Sequence, residues 1–233
     1  MKRCVINVAC DKWYPKGQDR LSSGLDLFGK NIDKLFWKNN LPPKSPDHTK
    51  APYAFKAYAL LNAYELGYET ILWCDASIFP IKDIEPIYEY IEKNEYMFFA
   101  NSYIGLFSTD VCLDHFKIDR ETAIGMREMM GCCFGLNLKS QKCKQFLDQC
   151  LEHALDGICF KGDWNNNLGQ VSKDCRVLGH RHDQTVMSIL AHNLNMNNFL
   201  IAHETFFAYK DQINHYFPEI GLPNSVSLLS EGM

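Results

Sequence analysis

The stretch ETILWCDASIFPIKDIEPIYEYI, residues 69–91, decides how the chain is read. Thr70-Ile71-Leu72-Trp73-Cys74 is an apolar, β-branched and aromatic run of strand length. It delivers an acid, Asp75, and a small polar residue, Ser77, follows two positions on. In extended backbone, residues two apart point to the same side. A carboxylate and a hydroxyl at a strand exit make a hard-oxygen pair for Mg²⁺ or Mn²⁺, with substrate phosphates completing the shell. The plain alternative is an acid that caps the following turn.

Working outward, strand-like and helix-like segments alternate. RCVINVA, Arg3 to Ala9, reads as the first strand. AFKAYALLNAYE, Ala54 to Glu65, is rich in helix formers, with Gly67 as its stop. Asp83 is placed to cap a helix reaching about Lys93, with Pro86 in its first turn. Tyr96 to Ala100 and Cys132 to Leu138 read as strands. From Ser140 to Leu155, apolar residues Cys143, Phe146, Leu147, Cys150, Leu151, Ala154 and Leu155 keep helical spacing up to Gly157. A last helix begins near Asp183 and turns Val186, Met187, Ile189, Leu190 and Leu194 inward. The expected fold class is α/β: a mostly parallel sheet with helical crossovers. Ligands of such sheets sit beyond the C-terminal strand ends, where Asp75 lies. Residues 15–50, rich in lysine, proline and glycine, are expected to form a flap over that edge.

The 233 residues suffice for one large domain, and a 46% hydrophobic content supports a sizeable core. A net charge of −4 with no Lys/Arg stripe gives no footprint for nucleic acid. The N-terminal apolar stretch is broken by Asn7, and no run of about 18 apolar residues occurs, so no transmembrane segment is expected. With that, the ten cysteines are expected to be free, mostly buried thiols in a cytoplasmic protein.

A second constellation is GHRHDQTVMSIL, residues 179–190. Asp183 opens a helix, and a helix N-terminus favours a phosphate or carboxylate nearby. The plain reading makes Asp183 an N-cap and His180 and His182 solvated loop residues. Cys175, His180 and His182 form no common zinc spacing and lack a fourth ligand. His203 follows the apolar run Phe199 to Ala202, and Lys56 lies in the helix before the Asp75 strand. Either is ordinary taken alone. No G-x-G-x-x-G or Walker pattern is present.

Together these residues resemble glycosyltransferases of the GT-A fold. Phe55-Lys56-Ala57, then Gly67 through Asp75-Ala76-Ser77, then Pro80-Ile81, is similar to that family's lysine, helix, strand, D-x-D and apolar-proline run. Asp183-Gln184-Thr185 resembles the helix start of its retaining galactosyl- and xylosyltransferase-like branches. The resemblance covers most of residues 1–210 and implies one glycosyltransferase domain, 1–233. Residues 1–100 would be its nucleotide-binding half and 101–233 its acceptor and catalytic half. It implies transfer of a sugar from a nucleotide-sugar donor, UDP favoured, to a glycan acceptor, with Mn²⁺ or Mg²⁺ as cofactor. It assigns Asp75, Ser77 and His203 to the metal, and Ala9, Asp11, Tyr14, Lys56, Asp75 and Cys132 to the donor. Asp183 and Gln184 would stand beside the anomeric carbon, and the Gly131–Gly135 run would pass close to the sugar. Ser77 departs from D-x-D, and a hydroxyl is a weaker ligand than a carboxylate. Two competing readings are an aspartyl-nucleophile phosphatase and a non-catalytic sugar-nucleotide or glycan-binding module.

Overall fold

A computed structural model describes residues 1–211 and 222–231. Its central sheet is built from β1 (Arg3–Ala9), β2 (Asp33–Lys38), β3 (Thr70–Cys74), β5 (Tyr96–Tyr103) and β6 (Arg127–Asn137). The order is β2-β1-β3-β6-β5. β1 pairs in parallel with both β2 and β3, while β6 runs antiparallel to β3 and to β5. Four of the five strands therefore point the same way, and the sheet is mixed with a parallel majority. The expected bounds of β1 and β3 match those observed.

Both sheet faces are covered, and strand alternation assigns the residues. On β3, Ile71 and Trp73 join one apolar cluster, and Leu72 and Cys74 join the other. α2 (Phe55–Glu65), α6 (Gln141–Asp156) and α7 (Asp183–Asn193) supply the first cluster. α1 (Tyr14–Phe28) and α3 (Glu85–Asn94) supply the second. Two short helices, α4 (Asp110–Phe116) and α5 (Arg120–Gly125), connect β5 to β6. α3 starts as expected, with the Asp83 carboxylate accepting the Glu85 N–H at 3.0 Å. α6 ends at Gly157 in the left-handed region (φ +66), but Leu155 is 81% exposed rather than inward. All ten cysteines are free thiols, seven of them buried. Among the described residues, no helix is long and apolar enough to cross a membrane.

Of the expected flap at 15–50, the first part is instead α1 and the edge strand β2, while the loop that follows puts Leu41 and His48 on the wall of a cleft at the sheet edge. Leu21 and Leu25 bury one face of α1, a pattern diluted in sequence by its glycines and serines. A second sheet, also unforeseen, has the order β4-β8-β7, from β4 (Ile78–Pro80), β7 (Phe206–Tyr209) and β8 (Val226–Ser230). β4 follows directly on the Asp75 turn, so this sheet backs the far side of that turn.

The α1 glycines at 17 and 24, seven apart on one face, let the helix sit against the turn and β4. A Cβ at Gly17 would lie 2.2 Å from the Ala76 carbonyl oxygen, and one at Gly24 would lie 2.8 Å from Pro80. Alanine is the better helix former by about 1 kcal/mol, whereas forcing a group into packed backbone costs about 1–3 kcal/mol. The clash therefore wins. Gly17→Ala is expected to lower stability by ~1–2 kcal/mol, read as a lower urea midpoint at unchanged slope.

Candidate functional site

The β3 exit is fixed by main-chain bonds on both sides. The Asp75 N–H donates to the Cys132 carbonyl at 2.8 Å, and the Ile78 N–H closes the turn onto the Asp75 carbonyl at 2.9 Å. The Trp73 indole N–H donates to Asp75 Oδ1 at 2.7 Å. Trp73 is itself locked in the core, stacked on Phe134 with centroids 6.1 Å apart. Across the site lies Lys56 from α2. Its Nζ is 2.8 Å from Asp183 Oδ2, 3.5 Å from Asp75 Oδ1, and donates to the Gly131 carbonyl at 2.8 Å. Lys56 is 4% exposed, so it is not an ordinary solvent-facing helix lysine.

This is a cluster of a buried ammonium, the buried Asp183 carboxylate and the Asp75 carboxylate, which keeps 38% of its side chain exposed toward the cleft. Burial disfavours the Lys56 ammonium, but Asp183 and then Asp75 outweigh it, and the amine pKa is raised. Burial also raises the carboxyl pKa of Asp75 and Asp183, with Lys56 pulling each back down. The surplus negative charge suits a divalent cation or a further donor group better than a second anion placed directly on it.

At the start of α7 the chain is held by its histidines. His180 Nε2 meets the Cys159 carbonyl at 2.9 Å, and His182 Nδ1 meets the Phe160 carbonyl at 3.0 Å. Both are buried, so neither is a solvated loop residue, and Cys175 is exposed. No zinc set forms from these three. Burial lowers both imidazole pKa values, His180 to about 4. His182 takes φ +50 and precedes the first helical residue, Asp183, whose carboxylate turns to Lys56 instead of capping. Gln184 Oε1 accepts the Gly131 N–H at 2.8 Å. A Cβ on Gly131 would lie 3.2 Å from both Asp183 Oδ2 and Gln184 Cβ, so the missing side chain admits both residues. Gly135 serves packing instead: its Cβ would overlap Ile91 of α3.

These groups floor a cleft of about 680 Å³. Asp11, Tyr14, Lys56, Asp75, Ser77, Cys132, Asp183 and Gln184 all line it. Two expected residues do not. Ala9 is buried, with its carbonyl taken by the Asn39 N–H, although its neighbours Val8 and Cys10 reach the wall. His203 is not among the lining residues; its ring lies 6.1 Å from that of Tyr209, whose hydroxyl meets Cys132 Sγ at 3.3 Å. Of the expected metal ligands, Asp75 and Ser77 thus line the cleft, and carboxylate and hydroxyl oxygens are the donor types a hard cation takes. Ser77 Oγ also lies 3.2 Å from Ser230 Oγ.

Sequence reading missed the aromatic wall and a second cation. Trp13, Tyr53 and Trp164 line the cleft. Tyr53 packs edge-on to Trp164 at 5.8 Å. Arg181 lies over the Phe107 and Trp164 rings at 4.3 and 4.8 Å and donates to the Trp164 carbonyl. Three non-glycine wall residues, Asp11, Lys12 and Tyr53, have φ of +62, +50 and +62. Such conformations cost energy and persist where surrounding structure imposes them, often at ligand sites.

Behind Gln184 lies Glu128 of β6, fully buried, with Oε2 accepting from Asn101 at 3.2 Å. Burial pushes its carboxyl up to about 8, with Gln184 and Asn101 opposing. Between the ordinary 4.5 and about 8, the folded chain holds a proton that the unfolded chain has released. Stability therefore falls as pH rises through that window, by up to ~1.4 kcal/mol per pH unit. Glu128→Gln is expected to flatten the decline in denaturation midpoint between about pH 5 and pH 8. An unchanged slope would place this titration elsewhere.

No protein-family model and no curated protein sequence matches the chain. Solved structures do. Mouse xyloside xylosyltransferase 1 in its apo form superposes with a TM-score of 0.53 at 9% identity, over 99% of this chain and 97% of that one. The apo structure of the bifunctional glycosyltransferase WbbM gives 0.53 at 7% identity, over 98% of this chain and 45% of that one. At such identities the likeness speaks for architecture, and the architecture is that of the GT-A-like glycosyltransferase fold.

Proposed function

We propose that the chain is a metal-dependent glycosyltransferase that moves a sugar from a nucleoside-diphosphate sugar, UDP favoured, to a hydroxyl of a glycan acceptor, with retention. The observation that carries this reading is the convergence of Lys56, Asp75, Asp183 and Gln184 in one aromatic-walled cleft at the C-terminal edge of the sheet. The GT-A-like architecture supports it. Asp11 and Tyr14, just past β1, are placed for the nucleotide, with the tyrosine ring available to stack on the base. Asp75 and Ser77 would hold Mn²⁺ or Mg²⁺, which supplies charge stabilisation for the departing diphosphate. Lys56 adds a fixed positive charge beside them.

Retention is favoured by how the cleft acids are used. Asp75 and Asp183 share Lys56, so neither is a free carboxylate poised for attack. Gln184 spends its carbonyl on the Gly131 N–H, and its amide nitrogen carries no basic lone pair. With Asp11 engaged by the nucleotide, as this reading has it, attack on the same face is the favoured route. The bond from the anomeric carbon to the diphosphate oxygen breaks, the acceptor oxygen bonds to that carbon, and the acceptor proton passes to the leaving diphosphate. Gln184, at the cleft floor, would orient the sugar by hydrogen bonding. The free thiols of the core are compatible with a cytoplasmic setting.

A thermal-shift panel with UDP, GDP, CMP and ADP, each with and without Mn²⁺, tests the reading. A rise in melting temperature is expected that needs both UDP and Mn²⁺ and that Asp75→Asn removes, since a ligand bound only by the folded state stabilises it. Absence of any nucleotide-dependent shift at millimolar ligand would overturn it.

A further inference from the structure

Outside the cleft, the end of α4 meets the end of α6. His115 Nε2 stands 3.3 Å from His153 Nδ1, and 4.0 Å from Asp156 Oδ2. His153 and Asp156 lie three apart on the last turn of α6, so their side chains share a face. The two imidazoles are edge-to-face, centroids 5.2 Å apart at 77°, and without an ion their facing nitrogens are at hydrogen-bond distance, a contact that a bound ion would replace. Two nitrogens held tetrahedrally at about 2.0–2.1 Å from one ion are about 3.3 Å apart, which is the separation found here.

The surroundings fix this arrangement. Phe116 packs against His115 and His153 at 5.4 and 4.6 Å. The other Asp156 oxygen accepts the Ile158 N–H at 2.7 Å, which orients the carboxylate and leaves Oδ2 on the imidazole side. The His153 carbonyl receives the Gly157 N–H at 3.0 Å, which closes α6 beneath the cluster. Among the described residues, this is the group of His, Cys, Asp or Glu ligand atoms that comes together closely enough for one ion.

We propose that His115, His153 and Asp156 form a second metal site, distinct from the nucleotide cleft, that binds a zinc-class divalent ion and clasps α4 to α6. Water fills the fourth position. Two imidazoles and one carboxylate select Zn²⁺ or Co²⁺ over Mg²⁺, the opposite preference to the oxygen donors at Asp75 and Ser77. The site stands independently of the transferase reading.

Co²⁺ titration followed by visible absorption tests it, performed in the Asp75→Asn chain so that the cleft contributes no carboxylate. One ion per chain is expected to bind with the intense visible bands of tetrahedral Co²⁺ and to be displaced by Zn²⁺ but not by Mg²⁺. His115→Gln and His153→Gln are each expected to weaken binding by about tenfold or more, with unchanged circular dichroism. As a measurement free of those variants, Zn²⁺ but not Mg²⁺ should raise the melting temperature of the Asp75→Asn chain. Undiminished bands in His153→Gln, no saturable Co²⁺ binding, or equal stabilisation by Mg²⁺ would each overturn the proposal.

Discussion

The ion cluster of Lys56 with Asp75 and Asp183 is the interaction on which the rest of the site depends. It joins α2, the exit of β3 and the start of α7, three elements far apart in sequence. A buried ammonium is tolerated only with opposite charge in contact, and the buried Asp183 carboxylate only with a cation beside it. Each group thus fixes the other two. The Gly131 carbonyl takes a further Lys56 hydrogen, so β6 is tied to the same point. The price is stability: such a cluster is usually worth less than an apolar replacement.

The sheet makes that cluster possible. Alternation along β3 sends Ile71 and Trp73 to one face and Leu72 and Cys74 to the other, so the chain leaves the core at a defined phase. Trp73 then reaches forward to hold the Asp75 carboxylate. Glycines set the clearances around it. Gly17 brings α1 onto the Ala76 carbonyl from one side, and Gly131 lets Asp183 and Gln184 approach from the other. Packing density thus sets the geometry of the cluster, because a methyl group at either position would shift the acid or its partners.

Much of this was legible in the sequence, for identifiable reasons. β1 and β3 announce themselves as β-branched apolar runs, and β3 ends on an acid, so Asp75 stands out. Asp183 and Gln184 open a strongly apolar helix, and eight of the ten expected site residues line the cleft. The signals that failed were local ones. α1 hides behind glycines that its packing demands. β4, β7 and β8 are three to five residues long and pair across distant sequence, leaving almost no periodicity to read. Lys56 looks like any helix lysine until its acids are placed in space. Arg181 and the aromatic wall sit in loops, whose positions no pattern encodes. Ala9 and His203 were expected at the wall by likeness alone, and neither lines it.

The central claim is that Lys56, Asp75 and Asp183 form one energetic unit. The most direct test is a double-mutant cycle in urea denaturation on Lys56→Met, Asp183→Asn and the double variant. Lys56→Met alone should cost about 3–5 kcal/mol, because it strands the buried Asp183 carboxylate. The double variant should recover part of that loss, with a coupling energy of ~1–3 kcal/mol. Costs that simply add, within about 0.5 kcal/mol, would contradict the account and leave the cluster as three neighbouring charges that do not hold one another.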